Sequence, residues 1–325
     1  MKAIVYHDYG SPDVLKWEEV AKPIPGDDEV LIRVRAASVN PLDWHFMRGS
    51  PRIVRLMTGL GKPKITRLGV DVAGQVEVVG RNVTQLSPGD EVFGSCRGAF
   101  AEYACTSESA LAIKPGNVTF EKAASVPIAA FTALQGLRDQ GKVQPGQKVL
   151  INGAAGGVGT FAVQIAKSFG ADVTGVCSTR NVDMVRSIGA DRVIDYTRED
   201  FTKGGQRYDL LFDCVGNHSL SACVRVLNPK GIYIPVGGSG DSIIGPVLRK
   251  LVLSPFVSQN LVMFFLARPN KQDLTAMCEL MAAGKVTPVI DRRYSLSEVS
   301  EAIRYLEEGH ARGKVVITME HDSRS

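Results

Sequence analysis

Apolar and polar positions alternate over short stretches in the first third of the chain. Ala3–Tyr6, Glu29–Ala36, Gly74–Val79, Glu91–Gly94 and Ala101–Cys105 are such runs, and turn signals such as Pro25-Gly26, Gly80-Arg81-Asn82 and Pro88-Gly89-Asp90 punctuate them. Short runs bounded by Gly/Pro turns predict strands, and several in succession predict a small barrel-like β domain. The pattern changes near residue 121, where Glu121–Val126 and Ile128–Arg138 carry helical spacing on either side of Pro127. From Lys148 short buried-type runs alternate with helical ones. Lys148–Ile151, Asp172–Cys177, Arg192–Ile194, Leu210–Val215 and Gly231–Val236 read as strands, with helices at Gly159–Phe169, Val182–Ile188 and His218–Leu227. This alternation predicts a parallel sheet with helices on both faces. Lys271–Ala283 reads as an amphipathic helix followed by Val286–Ile290, Ser297–Glu308 as a helix capped by Ser297, and Arg312–Thr318 as a closing strand. The last strand is expected to rejoin the N-terminal β domain. One domain is then built from residues 1–122 and 268–325, with a second, 123–267, inserted into it.

The 325-residue length agrees with two domains at about 150 residues each. Hydrophobic residues at 44% and charged residues at 22% exclude a disordered, collagenous or coiled-coil chain. The net charge of +4 is thinly spread and no Lys/Arg block stands out, so no nucleic-acid partner is expected. Six cysteines, at 96, 105, 177, 214, 223 and 278, form neither CxxC nor a zinc-finger spacing, which points to free thiols in a reducing compartment. The opening MKAIVYHDYG has no apolar signal core, and Pro255, Ser258, Gln259 and Asn260 break the apolar stretch Leu251–Ala267. A cytoplasmic protein without an integral membrane segment is therefore expected. The run Leu248–Leu253 reads as a helix packed on the sheet, or else as a basic amphipathic surface.

The chemistry begins at Gly153-Ala154-Ala155-Gly156-Gly157-Val158-Gly159, which follows a predicted strand and opens a helix. Small residues let the backbone approach a pyrophosphate, whose charge the helix N-terminus then holds. The fingerprint reads Ala154-x-Gly156-x-x-Gly159, with Ala in place of its first glycine. An NAD-specific site would place Asp or Glu at the end of the next strand for the ribose hydroxyl. Here that end holds Ser178, Thr179, Arg180 and Asn181. Hydroxyls and a guanidinium suit a 2′-phosphate, so NADPH is expected over NADH.

Together with this turn, several segments resemble the medium-chain dehydrogenase/reductase superfamily, in particular its zinc-free quinone oxidoreductase branch. They are Ala37–Asp43, Gly69–Gly74, Gly89–Gly94, Phe131–Leu134, Gly175–Asn181, Val193–Tyr196 and Gly313–Val316. The resemblance covers nearly the whole chain and implies an α/β architecture, a GroES-like β-barrel catalytic domain with an inserted Rossmann domain. The zinc branch carries a catalytic Cys and His where this chain has Asn40 and Val70, and its lobe of four structural cysteines is missing, so no metal is expected. The resemblance assigns Asn40 and Thr132 to the nicotinamide end of the cofactor, and Gly156, Gly157, Val158 and Gly159 to the pyrophosphate. Ser178, Arg180 and Tyr196 go to the adenosine 2′-phosphate, beside Thr179. Val215 and Gly216 end one strand, and Val236, Gly237 and Gly238 the next, where open α/β sheets bind ligands. Phe264 and Phe265, then Arg312 and Lys314, match cofactor-side positions; Phe264-Phe265 also reads as an apolar edge strand at a dimer interface.

Without metal or nucleophile, the expected reaction is hydride transfer from NADPH to a quinone or an α,β-unsaturated carbonyl. Asn40 is a candidate donor to the acceptor's carbonyl oxygen or an orienter of the nicotinamide ribose. His45 and Tyr103 are candidate proton sources, His45 equally a structural histidine beside Trp44. Asp43, read as lying in a loop, is a general acid or, more in keeping with such positions, a carboxylate bonding local backbone N–H groups. The segment Arg48–Arg67 reads as a mobile loop beside the substrate. Alternatives are a narrow enone or 2-alkenal reductase and a catalytically weak NADPH-binding sensor or structural relative. A homodimer is expected, because the apolar run Leu261–Leu266 would otherwise be an open edge.

Overall fold

The computed structural model describes residues 1–237, 258–262 and 267–319. The chain divides into two compact units. One comprises Met1–Ile128, Pro269–Ala283 and Pro288–Ser325, the other Ala129–Arg268 and Gly284–Thr287.

The first unit opens with β1 (Lys2–Val5) and β2 (Lys16–Glu19), an antiparallel ribbon. Its main sheet is organised by β3 (Glu29–Val39), which pairs along its length with β4 (Asp71–Val79). Register shifts at Leu31/Ile32 and Val34/Ala36 mark β-bulges, which bend a strand and strengthen its twist. Next come β5 (Glu91–Ser95), β6 (Tyr103–Ser107) and β7 (Leu111–Ile113). Helix α1 (Pro41–Arg48) leaves the end of β3 directly. Asn40 is its extended N-cap, Pro41 occupies its first turn, and Gly49 closes it with φ 58°. Asp43, expected in a loop, stands instead in the third helical position, where its carboxylate accepts from the Asn40 N–H at 2.8 Å. The segment read as a loop from Arg48 contains a second short helix, α2 (Val54–Thr58). Helix α3 (Phe120–Ala124) precedes the second unit, capped by Thr119.

In the second unit, α4 (Pro127–Gln135) leads to β8 (Lys148–Asn152), α5 (Gly157–Ser168), β9 (Asp172–Cys177), α6 (Val182–Ser187) and β10 (Arg192–Asp195). Then follow β11 (Tyr208–Asp213), α7 (Leu220–Arg225), β12 (Leu227–Pro235) and the short β13 (Asn260–Leu261). The parallel sheet runs β10-β9-β8-β11-β12-β13. Counted within the unit this is the order 3-2-1-4-5-6 of a dinucleotide-binding sheet, which reverses between β8 and β11. Its central strands are buried on both faces, hence their continuous apolar runs in place of alternation.

The chain then returns to the first unit. A helix over Lys271–Ala282 is followed by β14 (Ile290–Ser295), a helical stretch and β15 (Lys314–Thr318). β15 lies between β14 and β3, antiparallel to β3 through Val315–Val39 and Thr318–Ala36. The helix Val299–Glu307 starts from a 3-10 turn, Leu296–Glu298. Ser297 lies inside that turn and does not cap the helix; the turn is capped by Ser295, whose N–H and hydroxyl both donate to Glu298, each at 2.8 Å. β2 and β7 leave little pattern in the sequence: one is charged at every position but Trp17, and the other has three residues. Gly238, Phe264, Phe265 and Leu248–Leu253 lie outside the described residues. Among the described residues no helix is long and apolar enough to cross a membrane.

Candidate active site

In the second unit the glycine turn leaves β8 at the sheet's reversal point. Gly153 takes φ +83°, and a Cβ there would meet Val215 Cγ2 at 2.7 Å, so the turns after β8 and β11 touch. A Cβ on Gly159 would lie 2.1 Å from the Gly153 carbonyl oxygen, which forces glycine at the first turn of α5. A Cβ on Gly156, the N-cap, would find nothing nearer than that same oxygen at 3.5 Å. Two glycines therefore close the turn from behind, while the third leaves open space in front. The amides of Gly157, Val158 and Gly159 stand in the first turn of a twelve-residue helix, where N–H groups have no intrahelical acceptor. This cradle suits a pyrophosphate.

The turn after β11 is held by Asp213, a fully buried carboxylate that sequence reading passed over. It accepts from the Val215 and Gly216 N–H groups at 3.1 and 2.9 Å, from Asn152 Nδ2 at 2.9 Å and from the Tyr233 hydroxyl at 3.0 Å. Gly216 has φ +69°. An Asp before Cys-Val-Gly at a predicted strand end was the available signal. Val236 and Gly237 follow β12, both donating to the Asp213 carbonyl.

Ser178 and Arg180 follow β9, and the Tyr196 N–H donates to the carbonyl of Cys177, the last residue of that strand, at 3.0 Å. Tyr196 is exposed, as is Arg180. The Thr179 hydroxyl donates to Asp195 at 2.6 Å and is committed there instead of to a ligand. Hydrogen bonds from Thr179 and Thr197 hold the Asp195 carboxyl below the usual range.

In the first unit, Asn40 and Lys314, 274 residues apart, meet in a buried cluster. Lys314 Nζ donates to Asn40 Oδ1 at 2.6 Å and lies 3.5 Å from Asp71 Oδ2. Asn40 Nδ2 donates to Asp71 Oδ2 at 2.8 Å and to the Ser38 carbonyl at 3.3 Å. The Ser38 hydroxyl also donates to Asp71, at 2.8 Å, and the other Asp71 oxygen accepts from the Ile128 N–H at 3.1 Å. Asp43 accepts from Gly69 N–H at 3.0 Å. Burial pushes the Asp43 carboxyl up to about 7 and the Lys314 ammonium down.

This geometry corrects two expectations. Both amide hydrogens of Asn40 are engaged inside the protein, so its side chain has none to donate to a substrate carbonyl. Lys314, expected at the cofactor's rim, is 3% exposed and turned onto Asn40. Arg312 is exposed, and its N–H donates to Asp291 at 2.8 Å. Thr132 lies in α4, four residues beyond the amide that Asp71 holds.

His45 Nδ1 lies 2.7 Å from the Ser50 carbonyl, an acceptor that calls for a proton on that nitrogen. Tyr103 pairs across β3 with Arg33, seven residues from Asn40 and thus about 20 Å along the strand. Lys22 sits over its ring at 3.8 Å. Among the described residues, no group of three or more His, Cys, Asp or Glu side chains is arranged to hold a metal.

Residues 26–116 match the alcohol dehydrogenase GroES-like domain, and residues 188–317 the family described as zinc-binding dehydrogenase. A 2-methylene-furan-3-one reductase of Solanum lycopersicum is 37% identical over 98% of this chain and 79% of its own length. A chloroplastic NADPH-dependent alkenal/one oxidoreductase of Arabidopsis thaliana is 36% identical over the same shares. The solved quinone oxidoreductase of Coxiella burnetii superposes with a TM-score of 0.86 at 32% identity, covering 98% of this chain and 99% of its own.

Proposed function

We infer that this chain, which belongs to the quinone oxidoreductase branch of the medium-chain dehydrogenase/reductase superfamily, is an NADPH-dependent reductase of quinones or α,β-unsaturated carbonyls. The observation that carries the reading is the glycine cradle at the reversal point of a 3-2-1-4-5-6 sheet, in a chain whose relatives are named for alkenal/one and quinone reduction.

When bound, NADPH supplies a hydride to the electrophilic carbon of the acceptor. The chain's own residues do the rest. Gly157, Val158 and Gly159 present first-turn amides to the pyrophosphate, and Asp213 fixes the neighbouring Val215-Gly216 turn through its N–H groups. Ser178 and Arg180 receive the 2′-phosphate, with Tyr196 alongside. The charge of Asp195 beside them is covered by the Thr179 and Thr197 hydroxyls and faces Arg198 at 3.7 Å. At the nicotinamide end we assign Asn40 a positioning part: Lys314 and Asp71 fix its amide plane from both ends. We assign the proton that completes reduction to water.

The test is consumption of NADPH and NADH with phenanthrenequinone, benzoquinone, acrolein and a long-chain enone. Turnover with at least one acceptor, and NADPH preferred, is expected. Arg180→Ala should raise the KM for NADPH about tenfold, the worth of one charge-assisted hydrogen bond. Tight NADPH binding with no acceptor reduced would overturn the enzyme assignment. We further propose a homodimer through the sheet edge that begins at β13, read as twice 35.0 kDa by light scattering. Six free thiols suit a reducing compartment, and we assign the cytoplasm, to be checked by cell fractionation.

A further inference from the structure

Helix α2 is inside out. Ile53, Leu56, Met57 and Leu60 recur at i, i+3, i+4 and i+7, the spacing of one helical face. Leu56 and Met57 lie on the helix, Ile53 caps it and Leu60 follows the Gly59 that ends it; all four stand in water, with exposures of 55%, 70%, 75% and 72% for Ile53, Leu56, Met57 and Leu60. The polar Thr58 among them is fully buried. Its hydroxyl donates to the Val54 carbonyl at 3.1 Å and shares a 2.8 Å hydrogen bond with the Tyr9 hydroxyl. Single exposed apolar residues are ordinary, but four within eight residues make a patch.

The segment that carries the patch is charged with one sign. Residues 48–67 hold Arg48, Arg52, Arg55, Lys62, Lys64 and Arg67 and no Asp or Glu. Glu307 pairs with Arg48, and Asp8 with Lys62 at 3.1 Å. Arg52 and Lys64 are exposed, and the Arg55 guanidinium is turned onto the Tyr9 ring and the Gly49 carbonyl.

We propose that this segment docks on an anionic bilayer: the four apolar side chains enter the headgroup–acyl boundary, and the flanking cations meet lipid phosphates. An apolar face rimmed by Lys and Arg is what interfacial binding requires, since buried apolar area and attraction to anionic lipid add. A second copy of the chain is a poorer occupant. A two-fold contact through this patch would set the same cations against each other. The proposal is independent of the reductase assignment.

The test is co-sedimentation of the full chain with vesicles of phosphatidylcholine alone or mixed with phosphatidylglycerol. Binding to the mixed vesicles, weakened by added salt, is expected. The triple variant Leu56→Ser, Met57→Ser, Leu60→Ser should bind about tenfold more weakly through lost apolar contact. Arg52→Glu with Lys64→Glu should do the same through lost charge. A melting midpoint like that of the wild type shows that each variant is folded. No sedimentation with anionic vesicles overturns the proposal. So does undiminished binding of the folded triple variant, which would mark simple polyanion adsorption. A smaller mass for that variant by light scattering would assign the patch to a self-interface instead.

Discussion

Lys314 supplies the positive charge of a cluster that also holds two carboxylates, Asp43 and Asp71. With all three ionised the cluster carries one uncompensated negative charge out of water. Asp43 answers this: burial, with the charge of Asp71 adding, pushes it up to about 7, against the bonds from the Asn40 and Gly69 N–H groups. Removing one partner of a buried ion pair typically costs about 3–5 kcal/mol, because the other charge stays desolvated and unpaired. Lys314→Met should therefore lower unfolding free energy by about that amount in urea titrations. Adding Asp71→Asn should recover part of the loss, and strict additivity would remove the pairing argument. The pH dependence has a definite sign. A carboxyl raised in the folded state keeps a proton that the unfolded chain has lost between about pH 4 and about 7. Its contribution is full below the ordinary Asp value and fades as pH rises to about 7, so Asp43→Asn should flatten that part of the stability profile. Sequence reading singled out Asn40 and Lys314 but not their mutual contact. The partners are separated by 31 and 274 residues, and no local pattern records such a pairing.

At the scale of elements, legibility followed burial. β9 was read with its observed bounds, Asp172–Cys177, because a strand covered on both faces shows as a continuous apolar run between turn signals. α1 was not read, although Asn40-Pro41-Leu42-Asp43 carries a cap, a first-turn proline and a third-position acid. The strand before it is long and apolar, and that pattern masked the change of period. The glycine turn was legible as a motif, but not which glycine does what. Gly159 and Gly156 divide the labour, one against backbone at 2.1 Å and the other against open space. Gly159→Ala should displace the first turn of α5, lowering the melting temperature by several degrees and weakening NADPH binding together. Gly156→Ala should keep the melting temperature near wild type and raise only the NADPH dissociation constant. Calorimetry of both variants with and without NADPH separates these outcomes, and a Gly159→Ala protein as stable as wild type would contradict the turn geometry.

For the molecule as a whole, one sheet is drawn from a single stretch of chain and the other from both ends of it. β8 to β13 come from one continuous stretch, so the parallel sheet has all its described strands once residue 261 is present. The other sheet has its organising strand, β3, near the start of the chain, and β15, which covers the Ala36–Val39 half of β3, near the end. Until β15 arrives that half of β3 lacks a neighbour on one side. The Asn40–Asp71 pair also lacks its ammonium, since Lys314 is the first residue of β15. Long-range pairing of this kind forms late, because the loop entropy must be met before the contact returns anything. A chain ending at Gly313 should then hold two very different halves. Amide hydrogen exchange in β8, β9 and β11 should stay protected, while β3 and β4 exchange at rates near those of an unfolded chain. Protection of β3 and β4 at wild-type levels in that truncated chain would mean that β15 closes the sheet without stabilising it. The buried cluster would then need another source for its positive charge.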